Sequence, residues 1–401
     1  MKNRRDKLFG IIYMSFFCIS IFMVGCSNKK MPDNLAEAED TQIQTGTEIM
    51  PEQNSEDFSE SSEETEKTLE TEQELFLVQD MMEFQKAAEK ADILNAMQLA
   101  MEGIYTGFSI DASQISFEMD INIELKNLYY QIIAENPQLQ YVYDITAEVK
   151  EGQLVCTFLY VPFKTGEFPE GFQGQDAGSL EELLRVAEEN LDKDSVAIYI
   201  TNPSLDVEAM KQALRQVGDG YFVCLLNADA TEIKIQPSDM KYTREESLEY
   251  LAEISAMADE VIEKCITEDM TDKEKAYALY SYITDTVKYD QRYYTDRSSM
   301  PFASTTAYGA FHDGLAICGG YSYAIRILFT KAGIPCYLVS GEWGREGHLW
   351  NVAKIEDTWL YFDATADRGN KGNFRCFAVT ADNLTNHSWE SESIGPLLTS
   401  F

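Results

Sequence analysis

Gly314-Leu-Ala-Ile-Cys318-Gly-Gly-Tyr-Ser-Tyr-Ala-Ile-Arg-Ile-Leu-Phe-Thr-Lys-Ala-Gly333-Ile-Pro335 is the stretch on which the fold turns. Tyr321, Ala324, Ile325, Leu328 and Ala332 recur at helical spacing, and Gly333 with Pro335 is a stop, so a helix is predicted from at or just before Gly319. Cys318 then sits at a helix N-terminus, where unpaired N–H groups and the positive end of the dipole favour thiolate over thiol. Gly319 and Gly320 are expected to let a substrate carbonyl approach the backbone, whose N–H groups would stabilise an oxyanion. Taken alone, the same residues suit a buried structural cysteine in a helical cap equally well.

The residues downstream separate these readings. Cys336 to Ser340 reads as a strand, and the loop Gly341-Glu-Trp-Gly-Arg-Glu-Gly347 follows. His348 to Ile355 alternates as a second strand, Glu356-Asp357 is a turn, and Thr358 to Asp363 returns. A turn of two or four residues sets Ile355 opposite Thr358, so Trp350 faces Asp363 and His348 faces Thr365. His348 and Asp363 then project from one face as diagonal neighbours, and the carboxylate can hold the imidazole in the tautomer that accepts a thiol proton. A three-residue turn would put them on opposite faces.

Cys318-Gly-Gly-Tyr321, the Ala332-Gly-Ile-Pro335 exit, His348-Leu-Trp-Asn351 and Phe362-Asp363-Ala-Thr365 resemble, in order and rough spacing, the bacterial transglutaminase-like, papain-related superfamily. The resemblance covers about Tyr242 to Asp367, less than half of the chain. It implies an α+β fold in which a Cys-bearing helix packs on an antiparallel sheet. It also implies Cys318 as nucleophile, His348 as general base and acid, and Asp363 as orienter. An oxyanion hole would come from the Cys318 backbone N–H and an upstream donor, for which Tyr308 is the candidate; Gly319 and Trp350 are further candidates for contact with substrate. Asp363, Asp367 and Asn370 lack the spacing of a calcium loop. No metal or other cofactor is expected. His312 reads as a loop residue, and His387, in Asn386-His-Ser-Trp389, as part of a segment packing over the domain.

Upstream, Thr243-Arg-Glu-Glu246 and Thr271-Asp-Lys-Glu274 are capping boxes that open helices ending near Ile266 and Val287. The polar stretch 291–306 is long enough to overhang the cysteine. Residues 81–240 read as a mixed α+β domain, with helices over 84–104, 121–135, 180–191 and 207–217 and strands over 139–143, 153–160, 195–201, 221–226 and 231–236. No internal repeat is visible in it. The domain plan is therefore 1–25, 26–80, 81–240 and 241–401.

The first segment of that plan reads as an export signal, since Lys2, Arg4, Arg5 and Lys7 precede an uncharged run to Gly25. Met23-Val-Gly-Cys26 resembles the lipobox at which bacterial lipoproteins are cleaved and diacylated, making Cys26 a lipidation site on the outer face of the cytoplasmic membrane. An uncleaved transmembrane anchor is the alternative. Residues 26–80, rich in Glu, Ser, Thr and Gln, read as a disordered acidic tether. The six remaining cysteines are too sparse for a stapled fold and show no CxxC spacing, so a structural zinc site is not expected.

The chain has 401 residues with 32 Lys+Arg, 68 Asp+Glu and a formal net charge of −36. Such a chain repels phosphate backbones, so nucleic acid is excluded as an expected partner. The expected activity is that of a surface-anchored cysteine acyltransferase or peptidase acting on a protein or cell-wall peptide through a thioester. The sequence leaves water and amine open as the second reactant. A noncatalytic adhesin or wall-binding module retaining the fold is the alternative, although it has no need of all three of Cys, His and Asp. Most of the negative charge lies on the folded part, which favours cationic partners.

Overall fold

The computed structural model describes residues 75–390 and 394–399. The export signal, Cys26 and nearly all of the acidic tether lie outside the described residues. Among those described, no helix is long and apolar enough to cross a membrane.

The helix expected over 84–104 is shorter and follows a strand, β1 (Met82–Lys86). The Asp92 carboxylate accepts the N–H groups of Ala88 and Glu89, which fixes the start of α1 (Lys90–Glu102) and leaves the chain before it extended. β1 pairs in parallel with β2 (Gly107–Asp111). Asp120 caps α2 (Ile121–Glu135), and Asn136-Pro137 ends it. β3 (Val142–Lys150) and β4 (Gln153–Tyr160) form a hairpin on Glu151-Gly152, both at positive φ, so β3 runs well beyond the strand expected over 139–143. The sheet order is β1-β2-β4-β3.

The same plan then recurs. β5 (Gln175–Ala177), α3 (Leu180–Glu188), β6 (Ser195–Ile200), α4 (Val207–Leu214), β7 (Phe222–Leu226) and β8 (Glu232–Pro237) form a sheet of order β5-β6-β8-β7. In both sheets the first pair is parallel and the next two are antiparallel. The chain thus repeats one βαβαββ topology in tandem, a duplication with no visible sequence repeat.

The third region builds the thiol site. The Thr243 and Thr271 hydroxyls accept the Glu246 and Glu274 N–H groups, and those carboxylates accept in return, starting α5 (Arg244–Cys265) and α6 (Asp272–Thr286). Two short strands, β9 (Lys288–Tyr289) and β10 (Leu315–Ala316), pair in parallel. α7 (Cys318–Lys331) begins directly after them and packs against α5, α6 and the sheet. That sheet has the order β13-β12-β11-β14, from β11 (Cys336–Trp343), β12 (Glu346–Ile355), β13 (Thr358–Phe362) and β14 (His387–Ser388). Ile355 pairs with Thr358 across a two-residue turn with Glu356 at φ 55°, the register that a two-residue turn predicts.

The apolar core falls into two clusters. One spans residues 87–160, the first copy of the repeat, and the other runs without a break from Val161 to Leu397. The second copy therefore shares its core with the thiol region. The Gln216 side chain both donates to the Leu338 carbonyl and accepts its N–H, and Arg326 on α7 pairs with Asp219 and Glu188.

Candidate functional site

The Cys318 thiol stands on the first residue of α7, 7% exposed. What lets α7 begin here is a close approach on its other side. A Cβ on Gly319 would lie 2.7 Å from the Thr305 carbonyl oxygen, and one on Gly320 would lie 2.7 Å from that of Thr306 and 3.0 Å from that of Ser304. The two glycines thus admit the 304–306 backbone rather than a substrate carbonyl, and Gly319 does not line the cavity over the thiol. The 290–306 segment is itself pinned by buried Asp290, which accepts from Arg292 and, at 2.7 Å, from the Ser304 hydroxyl.

β12 carries His348 up to the thiol. The Ser322 hydroxyl of α7 donates to the Leu349 carbonyl at 2.7 Å, and the Asn351 amide donates to the Ser322 carbonyl at 3.0 Å, so helix and strand are joined on either side of Trp350. His348 Nε2 lies 2.8 Å from Asp363 Oδ2, which leaves Nδ1 free of that bond, and the ring lines one cavity with Cys318. Burial pulls the imidazole pKa down, but the Asp363 charge and hydrogen bond and the Cys318 sulfur outweigh it and push it up to about 10.

Asp363 is 1% exposed, and its carboxylate is saturated. Oδ1 accepts the N–H groups of Thr365 at 2.9 Å and Ala366 at 3.1 Å. Oδ2 accepts from His348 and also from His387 Nε2 at 2.9 Å. Burial favours the neutral acid, yet the His348 charge and these donors hold the carboxyl well below its ordinary value. The sequence places His387 in a segment packing over the domain, and the structure brings its ring to Asp363. No local pattern signals it, because it reaches Asp363 only through the two-residue pairing of β14 with the outer edge of β11.

The cavity above Cys318 is lined by Tyr289, Tyr293, Tyr294, Trp343, Glu346 and Arg368, together with Gly347, His348 and Thr365. Tyr308, the candidate oxyanion donor, is not among them. Its ring stacks on His312 at 4.8 Å and meets Tyr250 edge-on at 4.9 Å, at the start of the turn 309–313. Tyr289 lies nearer the chemistry: burial and the neighbouring Cys318 sulfur both push its phenol pKa up. Trp350, the other candidate for substrate contact, is fully buried behind the site and stacks on His348 at 5.9 Å, whereas Trp343 is on the cavity wall. Cys26 lies outside the described residues.

Among the described residues the six cysteines are all free thiols, and burial raises the pKa of Cys156, Cys224, Cys265 and Cys336. By residue type His348, Asp363 and His387 could hold a metal ion, their ligand atoms lying within 4.8 Å of one another. In the protein as described, both Nε2 atoms instead meet one carboxylate oxygen at hydrogen-bond distance.

A helix-borne thiol against a sheet-borne imidazole that a buried carboxylate holds from the adjacent strand places this region in the class of α+β thiol folds. Within that class, residues 259–364 match the family model of the Transglutaminase-like superfamily, so this segment is a transglutaminase-like domain. Solved structures similar to the chain include a TGase, at 12% identity and TM-score 0.27, covering 72% of this chain and 59% of that one. A candidate cysteine protease from Cytophaga hutchinsonii is similar at 16% identity and TM-score 0.23, covering 34% of this chain and 46% of that one. A candidate protease from Parabacteroides distasonis is similar at 9% identity and TM-score 0.22, covering 54% and 35%. The chain thus spans less than two thirds of each of these three. No curated protein matches it.

Proposed function

We propose that Cys318, His348 and Asp363 form a catalytic triad that cleaves a peptide or protein amide through a thioester on Cys318. The observation that carries this reading is the His348–Asp363 hydrogen bond beside the Cys318 thiol, with the thiol and the imidazole lining one cavity. The Cys318 sulfur, as thiolate, attacks the amide carbonyl, and the oxyanion forms at the N-terminus of α7. His348 carries a proton over the ordinary pH range and delivers it to the leaving nitrogen as the C–N bond breaks. Water or a second amine then attacks the thioester, His348 takes its proton, and acid or a new amide leaves with the thiolate restored. Asp363 keeps the ring in register throughout and does not itself become protonated.

The reading extends to location and partner. The basic start, apolar run and Cys26 support a lipid-anchored protein outside the cytoplasmic membrane, acting on protein or cell-wall peptide. The test is to incubate the chain and its Cys318→Ala variant with peptides and a labelled primary amine. Label joined to peptide only by the unaltered chain means transamidation, and cleaved peptide means hydrolysis. Neither, across a broad panel, would replace this reading with a binding module.

A further inference from the structure

Arg368 lines the cavity over Cys318 and, among the described residues, pairs with no carboxylate, although the chain carries 68 acids. Its guanidinium is nevertheless held in place. Nη1 donates to the Thr365 carbonyl, and the group stands over the Tyr289 ring, 4.8 Å from the ring centre. The backbone beneath is tied to α6, because the Gly369 N–H donates to the Thr284 carbonyl at 2.9 Å. Guanidinium N–H groups lie in the plane of the group, so contact through its face leaves the Nε–Nη2 edge for an acceptor. No described residue accepts there, since the nearby acids are engaged elsewhere. Asp363 accepts from its own loop and two histidines, and Asp367 from Tyr280, Asn370 and the N–H groups of Arg375 and Cys376. Glu346, on the same cavity, accepts from the Tyr294 hydroxyl at 3.0 Å.

A second polar group is left over at the same place. Thr365 lines the cavity at 2% exposure, and its hydroxyl has no hydrogen-bond partner among the described residues. A buried hydroxyl left so costs stability unless a ligand meets it. We propose that Arg368 is a specificity-determining residue, and that the substrate carries a carboxylate close to the amide that Cys318 attacks. The proposal rests on the acyl-transfer reading above. A planar carboxylate meets the open guanidinium edge through paired, charge-assisted bonds. Thiol and guanidinium line one cavity, so the carboxylate and the amide must be near neighbours in the substrate. An acidic side chain beside the scissile bond meets that need, and so does a terminal carboxylate. At long range the net charge of −36 repels either, whereas inside the cavity Arg368 reverses the sign, so the choice is made by contact rather than by steering.

Iodoacetate and iodoacetamide test this on the full chain, because they differ in the carboxylate alone and each forms an S–C bond at Cys318 as iodide leaves. Alkylation of Cys318 is followed by peptide mass, and the ratio of the two rates cancels differences in thiol reactivity. His348 draws iodoacetate in every protein compared. The ratio of iodoacetate to iodoacetamide should fall about tenfold in Arg368→Gln and largely persist in Arg368→Lys, which keeps the charge. An unchanged ratio in Arg368→Gln overturns the proposal. Should that variant fail to fold, binding to the Cys318→Ala chain decides. Peptides offered in pairs, Glu against Gln or a free against an amidated C-terminus, should separate about tenfold in favour of the carboxylate. The pair that separates identifies side chain or terminus as the source, and a panel in which none separates overturns the proposal. Neither measurement needs acyl transfer. Missing amide turnover with the ratio intact would sink the triad's chemistry and leave carboxylate selection standing, and turnover with an unmoved ratio would do the reverse.

Discussion

The Tyr280 hydroxyl donates to Asp367 at 2.8 Å, in a place where neither residue meets solvent. Asp367 also accepts the N–H groups of Arg375 and Cys376, each at 2.8 Å, and the Cys376 carbonyl accepts the Asp363 N–H at 2.9 Å. The loop that carries the Asp363 carboxylate is thus hung from α6. Tyr280→Phe removes one donor from a buried carboxylate and is expected to cost about 1.5–3 kcal/mol in urea unfolding. If the loop sets the aim of Asp363, kcat should fall with KM unchanged.

Gly320→Ala should be worse than its one methyl suggests. The added carbon would meet the Thr306 carbonyl oxygen at 2.7 Å, and backbone on both sides leaves little to yield. A loss of about 1–3 kcal/mol is expected, together with slower alkylation of Cys318 as the helix start shifts. Gly333 is the control for crowding, because a Cβ there meets nothing within 4 Å; Gly333→Ala should show only the strain of its φ of +84°.

The linkage of His348 to pH has a definite sign. Its pKa is raised in the fold from 6.5 to about 10, so its contribution to stability is complete below about 6.5 and is lost as pH rises through about 10. Asp363 behaves oppositely: its pKa is lowered, so its contribution is present above the ordinary carboxylate range and is lost as pH falls through the lowered value. Both describe one ion pair and are not to be added. Urea unfolding of the unaltered chain and His348→Gln should therefore give stabilities that converge between pH 7 and pH 10.5. A gap constant over that range would refute the linkage.

Tyr289 and Tyr308 can be told apart by kinetics. Tyr289 lines the cavity beside Cys318, whereas Tyr308 is packed on His312 and Tyr250. Tyr289→Phe is expected to lower kcat by about 10- to 100-fold if its hydroxyl steadies the oxyanion, and Tyr308→Phe should leave kcat unchanged. Equal effects from both would remove Tyr289 from that role.

The continuous second core makes a prediction about fragments. A piece beginning at residue 161 keeps Gln216, Asp219 and Glu188, the partners of Leu338 and Arg326, and should unfold cooperatively. A piece beginning at residue 241 leaves the Arg326 guanidinium, buried in α7, without its anions and should not. Circular dichroism melts of the two pieces decide this.

What the sequence makes legible here is what neighbouring residues decide. Gly333 and Pro335 end α7, the threonine capping boxes start α5 and α6, and Glu356-Asp357 fixes the register that brings His348 to Asp363. What stays hidden depends on short pairings between distant segments. β1 looks helical because its partner lies beyond α1; Tyr289 reaches the cavity through a two-residue parallel bridge, and His387 reaches Asp363 through another. The glycines after Cys318 carry a local signal that suits two causes, and only the position of the 304–306 backbone chooses between them.

The repeated βαβαββ plan divides the chain's freedom to change. One copy is welded to α7 and β11, so drift in its packing reaches the helix that bears the thiol. The other keeps a core of its own and can vary its outer face without disturbing that packing. Substitutions on the outer face of residues 82–160 can therefore accumulate without moving the packing around Cys318.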